Sequence, residues 1–183
     1  MSNTSPEQLT QQWFETVVLG LNLCPFAHRP ARAQQIRFSC SISTSEKALS
    51  AQLIEEIRYL ELTPSDECET TLFIVAMALA DFYDYQFFLD EANRKLKQHQ
   101  WQGVFQLASF HPDYCFAGAE PSDASNLTNR SPYPIIHILR ESSLTDTIEK
   151  VDNPGDIPRI NIEKMQSLSS AEKNVLFPHL KKQ

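Results

Sequence analysis

Three short segments of this chain gather the residue types that do chemistry. The first is His111-Pro112-Asp113-Tyr114-Cys115-Phe116. A histidine titrates near neutral pH and serves as a general acid or base. Asp113, two residues on, is placed to orient it. The second is the run from Asn126 to Pro134, with Asn126, Asn129, Arg130 and Tyr133. Arg offers a planar fork of donors and Asn an amide donor, the groups with which a loop holds a carboxylate or phosphate. Pro132 and Pro134 stiffen the exit, which lowers the entropy cost of that geometry. The third is Asn22-Leu23-Cys24-Pro25-Phe26. Cys24 is a nucleophile there if the fold brings it to the other two segments.

Each segment also has a plainer reading. His111 caps a strand end while Pro112 fixes the turn. Arg130 pairs with a surface acid in a loop rich in Asx-turns. Cys24 is a small buried hydrophobe at a helix C-terminus, where the dipole raises a thiol pKa. A fourth candidate is His137, with Arg140 and Glu141. In a strand it shares a face with Ile135 and Leu139, which favours a hydrogen-bonded core histidine. A metal reading would gather His111, Asp113, Cys115 and His137. The spacing H-x-D-x-C is no recognised metal motif, so no metal is expected and no cofactor is assigned.

The elements that must hold these residues follow from periodicity. Leu9, Trp13, Val17 and Leu21 recur every four residues and predict a helix from Pro6, ended by Gly20, Asn22 and Pro25. Pro25 to Ala33 reads as an ordered loop. Ile36 to Ile42 alternates apolar and polar, as an edge strand does. Ser43 with Glu46 has capping-box spacing, before a helix whose face is Leu49, Leu53, Ile57 and Leu60. Thr70 to Met77 is a continuous apolar strand of central type. Asp81 opens a helix with a stripe through Tyr85, Phe88, Leu89, Ala92 and Leu96, and Val104 to Phe110 is a third strand.

The rhythm then breaks. His111 to Tyr133 is a long polar stretch without periodicity, and such a loop inside a compact domain is usually functional. Ile135 to Arg140 is a fourth strand. Ser143 to Asp146 starts a helix of about ten residues on its capping-box spacing. Asp156 and Pro158 open another, and Ser170 to Leu176 is the last.

Alternation of this kind predicts an α/β chain: loose residues 1–5, then a single domain over 6–180. Its four-stranded sheet would be mostly parallel, with a βαβαββα core between an N-terminal helix and C-terminal helices. The order also resembles a thioredoxin-like topology, although C-x-x-C is absent and the first strand looks like an edge rather than a centre.

Composition narrows the functions. Glycine occurs 4 times in 183 residues, against about 13 at average usage. The four are far apart, which excludes a dinucleotide fingerprint, a P-loop and a G-x-S-x-G elbow. A net charge of −7 disfavours phosphate backbones, so no nucleic-acid partner is expected. Four cysteines without regular spacing, a polar N-terminus and no apolar run longer than Leu72 to Ala80 predict a reduced, cytoplasmic protein with no membrane partner.

The segments N-L-C-P-F-A at 22–27, H-P-D-Y-C-F at 111–116 and N-R-S-P-Y-P-I-I-H-I-L-R-E at 129–141 occur in an order that resembles a bacterial family. It is catalogued as domain-of-unknown-function family fourteen-fifteen. The resemblance runs from the first helix to I-P-R-I-N-I at 157–162. It implies a bacterial cytoplasmic protein and carries no activity with it. The chemistry therefore rests on the residues. The leading expectation is a small-molecule enzyme whose loop 111–133 holds an anionic metabolite on Asn126, Asn129, Arg130 and Tyr133. His111 would act as acid/base, Asp113 would orient it, and Cys24 would be the nucleophile. The rival is a non-catalytic module that uses the same loop to dock a ligand or protein. Oligomeric state is left open.

Overall fold

The computed structural model describes residues 4–148 and 153–182. Side chains are described for the same residues, except those of 146–148 and 181–182. Of the N-terminal stretch expected to be loose, residues 1–3 lie outside the described residues. Ser5, by contrast, is fixed. Its hydroxyl accepts from the Gln8 amide, and the Gln8 side chain accepts from the Ser5 amide, a capping box for α1 (Pro6–Trp13). The helix widens at once into a π-turn, Phe14–Leu19. Gly20 follows because a Cβ there would collide with the Thr16 carbonyl oxygen. Asn22 then takes a left-handed backbone (φ 50°), and its side chain bonds the His28 ring. The stretch read as a loop contains a short helix, α2 (His28–Arg32).

The sheet has four strands: β1 (Ile36–Ser41), β2 (Thr70–Val75), β3 (Phe105–Phe110) and β4 (Ile135–Arg140). Their spatial order is β1-β2-β4-β3. β1 pairs β2 in parallel, across the helix α3 (Glu46–Leu62). β4 is antiparallel to both β2 and β3. The sheet is therefore mixed, which corrects the mostly parallel expectation. β3 and β4 are joined by a loop with no crossover helix, and neighbours connected that way run antiparallel. β1 lies at the edge and β2 inside, whereas a thioredoxin-like sheet would place its first strand inside.

Local starts differ in two places. Ser45, not Ser43, is the N-cap of α3 and makes no side-chain cap bond, while the Ser43 hydroxyl accepts from the Ser45 amide. α5 (Glu141–Ile148) begins directly after β4 instead of at Ser143. The rest of the ten-residue helix expected there, 149–152, lies outside the described residues. α4 (Phe82–Gln98) starts as expected, with Asp81 accepting from the amides of Tyr83 and Asp84.

Each face of the sheet carries a core. On one, the stripe Leu49, Leu53, Ile57 and Leu60 of α3 and the stripe Tyr85, Phe88, Ala92 and Leu96 of α4 cover Phe73, Val75, Ile136 and Ile138. On the other, Trp13, Phe14 and Val17 cover Leu72, Ile74 and Ile135. Met165 from α6 (Ile157–Ser167) and Phe177, just after α7 (Ser170–Leu176), close that side. Strand alternation puts Thr70 and His137 on this second face. No helix among the described residues is long and apolar enough to cross a membrane.

Candidate functional site

The long loop is not structureless. Its polar side chains bind its own backbone. Asn126 is fully buried. Its Nδ2 donates to the Glu120 carbonyl (2.8 Å), and its Oδ1 accepts from the Phe116 amide (2.9 Å). Asn129 donates to the Ser109 carbonyl (3.0 Å) and accepts from the Thr128 hydroxyl (2.9 Å). Arg130 Nη2 donates to the Pro121 carbonyl (2.8 Å) and Nε to that of Tyr114 (3.3 Å). Tyr133 packs against the second core, and its carbonyl accepts from the Ser131 hydroxyl. A short 3-10 helix, Ala124–Thr128, forms inside the loop, capped by Asp123. The groups expected to hold an anion hold the loop instead. A sequence does not distinguish the two uses, because both need the same donors.

His111 is likewise enclosed. It is fully buried, and its Nδ1 accepts from the Asp113 amide (3.0 Å). That fixes the proton on Nε2, which donates to the Leu79 carbonyl (2.9 Å). The ring lies against Phe82 and Tyr85, with centroids 5.2 and 5.1 Å away. Burial holds its pKa below the usual value, against the Leu79 hydrogen bond and the charges of Asp113 and Asp81. It is thus the backbone amide of Asp113 that orients the ring. Leu79 has a left-handed backbone (φ 56°), which a branched side chain adopts only under constraint, and the imidazole supplies one. Acid/base use of His111 would require breaking one of these two bonds.

Cys24 does not meet His111. The His111 ring packs among residues of the α3/α4 core, and Cys24 packs against the core on the opposite face. The thiol–imidazole pair therefore does not form. Burial pushes the Cys24 thiol up, partly offset by the amides of Phe26 and Ala27. A thiol held protonated is a poor nucleophile.

Two cavities flank the Cys24 turn. The smaller, about 280 Å³, sits where β1 and β2 begin and β4 ends. Its polar lining includes Arg29, Ser65, Glu69, Thr70, His137 and Arg140. Thr70 and His137 form its most ordered part. The Thr70 hydroxyl donates to the Ile138 carbonyl (2.6 Å), so it can only accept from His137 Nε2 (2.7 Å). The imidazole therefore carries its proton on Nε2 and presents an unprotonated Nδ1. His137 is 8% exposed, and burial pushes its pKa down to about 4. Arg140 Nη2 reaches the carbonyls of Leu60 and Thr63 at the C-terminal end of α3 and that of Cys68 just before β2, while its Nε is buried without a partner among the described residues. Arg29 is exposed and forms no ion pair among the described residues.

The larger cavity, about 460 Å³, lies between Leu23, Phe110, the 3-10 helix and α6. α6 is tied over it by Asn161, which donates to the Leu23 carbonyl (2.7 Å), and by Lys164, which donates to that of Leu21 (2.6 Å). No group of three or more His, Cys, Asp or Glu side chains that could hold a metal is found among the described residues.

Arg29, Ser65, Glu69 and Thr70 escape a sequence reading centred on the long loop. One signal bears on Arg29, which lies two residues beyond N-L-C-P-F-A, while the cavity's His137 and Arg140 lie within the third long segment.

These features define a mixed α/β chain with a paired threonine and histidine at the edge of a polar cavity. A family model described as a protein of unknown function (DUF1415) matches residues 5–174, and the chain belongs to that family. No curated protein matches it, and no solved structure does.

Proposed function

We propose that the protein binds a small anionic molecule that carries a hydrogen-bond donor, in the cavity beside the Cys24 turn. One observation carries the reading: His137, its Nε2 proton committed to Thr70, lines a ligand-sized space with a second ring nitrogen that can accept but not donate. Such a nitrogen favours a ligand hydroxyl or amine over a ligand without a donor. Among the described residues of the lining, Arg29 and Arg140 outnumber Glu69, a bias of one charge toward an anion. Arg29 has no carboxylate partner among the described residues.

Binding fits better than catalysis. An imidazole with a pKa of about 4 accepts a hydrogen bond but is a weak proton acceptor at neutral pH. Cys24, the nearest nucleophile, is held as a thiol. The loop 111–133 supports the reading only indirectly, as part of the wall of the neighbouring cavity.

The test is thermal denaturation with lactate against propionate, which differ by the hydroxyl. Lactate is expected to raise Tm and propionate to do little. The lactate shift should vanish in Arg29→Ala and shrink in His137→Phe, each measured against its own ligand-free Tm. A shift that survives both and disappears in Arg130→Ala would move the site to the loop.

A further inference from the structure

Cys24 is the one residue common to the two cavities. Their characters differ. The smaller is charged and hydrogen-bonding. Among the described residues the larger has no charged residue in its lining, and its walls are Val18, Leu23, Phe110, Phe116, Ile157 and Ile162. Its polar members are largely engaged. Asn129 bonds Ser109, Asn161 bonds the Leu23 carbonyl and the Thr128 hydroxyl bonds Asn129. A polar group entering it would give up water and receive little in return. An apolar group would gain by burial. Both are lined by the same small, uncharged thiol, so the two spaces approach each other at Cys24.

We propose that the ligand is amphipathic: a hydroxy-acid head in the smaller cavity and an unbranched hydrocarbon tail that passes Cys24 into the larger one. This rests on the reading of the smaller cavity as the anion site. The head supplies what His137 and Arg29 lack, and the tail covers the apolar walls beneath α6. Tail length then sets affinity, at about fourfold per buried methylene.

The experiment is calorimetric titration of straight-chain 2-hydroxy acids from lactate to 2-hydroxydecanoate. Kd is expected to fall about fourfold per carbon once the chain reaches the junction, and to level off when the larger cavity is full. Two variants locate the tail. Ile162→Trp fills the larger cavity, and Cys24→Leu narrows the junction. In either one the ratio of long-acid to short-acid affinity should collapse towards one, and two variants guard against a packing failure in one. If lactate binds and added carbons bring nothing, the tail is overturned and the head site stands. If long acids keep their advantage in both variants, the tail lies elsewhere and the proposal is overturned. If no acid binds, the head site itself falls, and the tail with it.

Discussion

Thr70 and His137 lie 67 residues apart in sequence, and their side chains meet at 2.7 Å across β2 and β4. The Thr70 hydroxyl sets the imidazole tautomer, because its own proton is committed to the Ile138 carbonyl. Thr70→Val would leave the buried His137 N–H without an acceptor. A loss of about 1–3 kcal/mol in urea unfolding is expected. Thr70→Ser, which keeps the hydroxyl, should lose less. In nitrogen-detected NMR the wild-type His137 ring should read as the Nε2–H form at pH 7, and the Val variant as a mixture.

Three histidines make the fold acid-sensitive. Burial pushes His137 and His179 down to about 4 (in His179 the charge of Arg130 adds to it) and lowers His111. An unfolded histidine titrates near 6.5. Below that pH the unfolded chain takes up protons that the folded chain refuses. Stability is therefore full above about pH 6.5 and falls as the pH drops toward 4. His137 alone accounts for about 3 kcal/mol over that window, at about 1.4 kcal/mol per pH unit. The slope of unfolding free energy against pH should flatten measurably in His137→Gln.

Arg140 ties the end of β4 to the end of α3. Its Nη2 reaches the carbonyls of Leu60 and Thr63, at the helix end where the dipole places negative charge, and that of Cys68 just before β2. Arg140→Ala is expected to cost about 2–3 kcal/mol, since charge-assisted bonds to three carbonyls are lost at once. Arg140→Lys should recover part of it, because an ammonium keeps the charge but lacks the rigid planar guanidinium that sets where Nη2 sits. Melting curves of the three proteins check the order.

The bracing of the loop separates structure from binding. Asn126→Ala removes a buried amide that holds the Glu120 carbonyl and the Phe116 amide, at about 2 kcal/mol or more. Hydrogen exchange over 111–133 should accelerate in it, and the lactate-induced Tm shift should persist. Loss of that shift would mean the loop touches the ligand.

Gly20→Ala tests the π-turn. The added methyl meets the Thr16 carbonyl oxygen, which is backbone and cannot swing aside. A loss of about 1–3 kcal/mol, the usual cost of overpacking, is expected from the melting curve.

The elements were readable in the sequence because their periodicities are strong. The every-fourth stripes of α3 and α4 are buried except for the half-buried Leu89, and the apolar run of β2 is buried as far as Val75, while Met77 beyond it is exposed. The direction of β4 was not readable, because Ile135 to Arg140 has the same pattern whichever way it runs. Nor was the use of Arg130 and Asn126, since a loop that must close on itself and a loop that must hold an anion call for the same donors. His137 was legible as a residue on an apolar face. Its partner was not, because the register that sets Leu72 opposite His137, and so brings Thr70 within reach, is a property of strands far apart in the chain.

The position of β4 also has a kinetic consequence. β1, α3 and β2 form one contiguous unit, and β3 and β4 form another through their own loop. Each can assemble from neighbours in sequence. The β2–β4 ladder joins the two by closing a far longer stretch of chain, which is the slowest kind of contact to make. The smaller cavity takes Thr70 from one unit and His137 from the other. It therefore comes into being only at the docking of the two halves. In refolding experiments lactate binding should appear with the last phase, after most of the helical signal has returned.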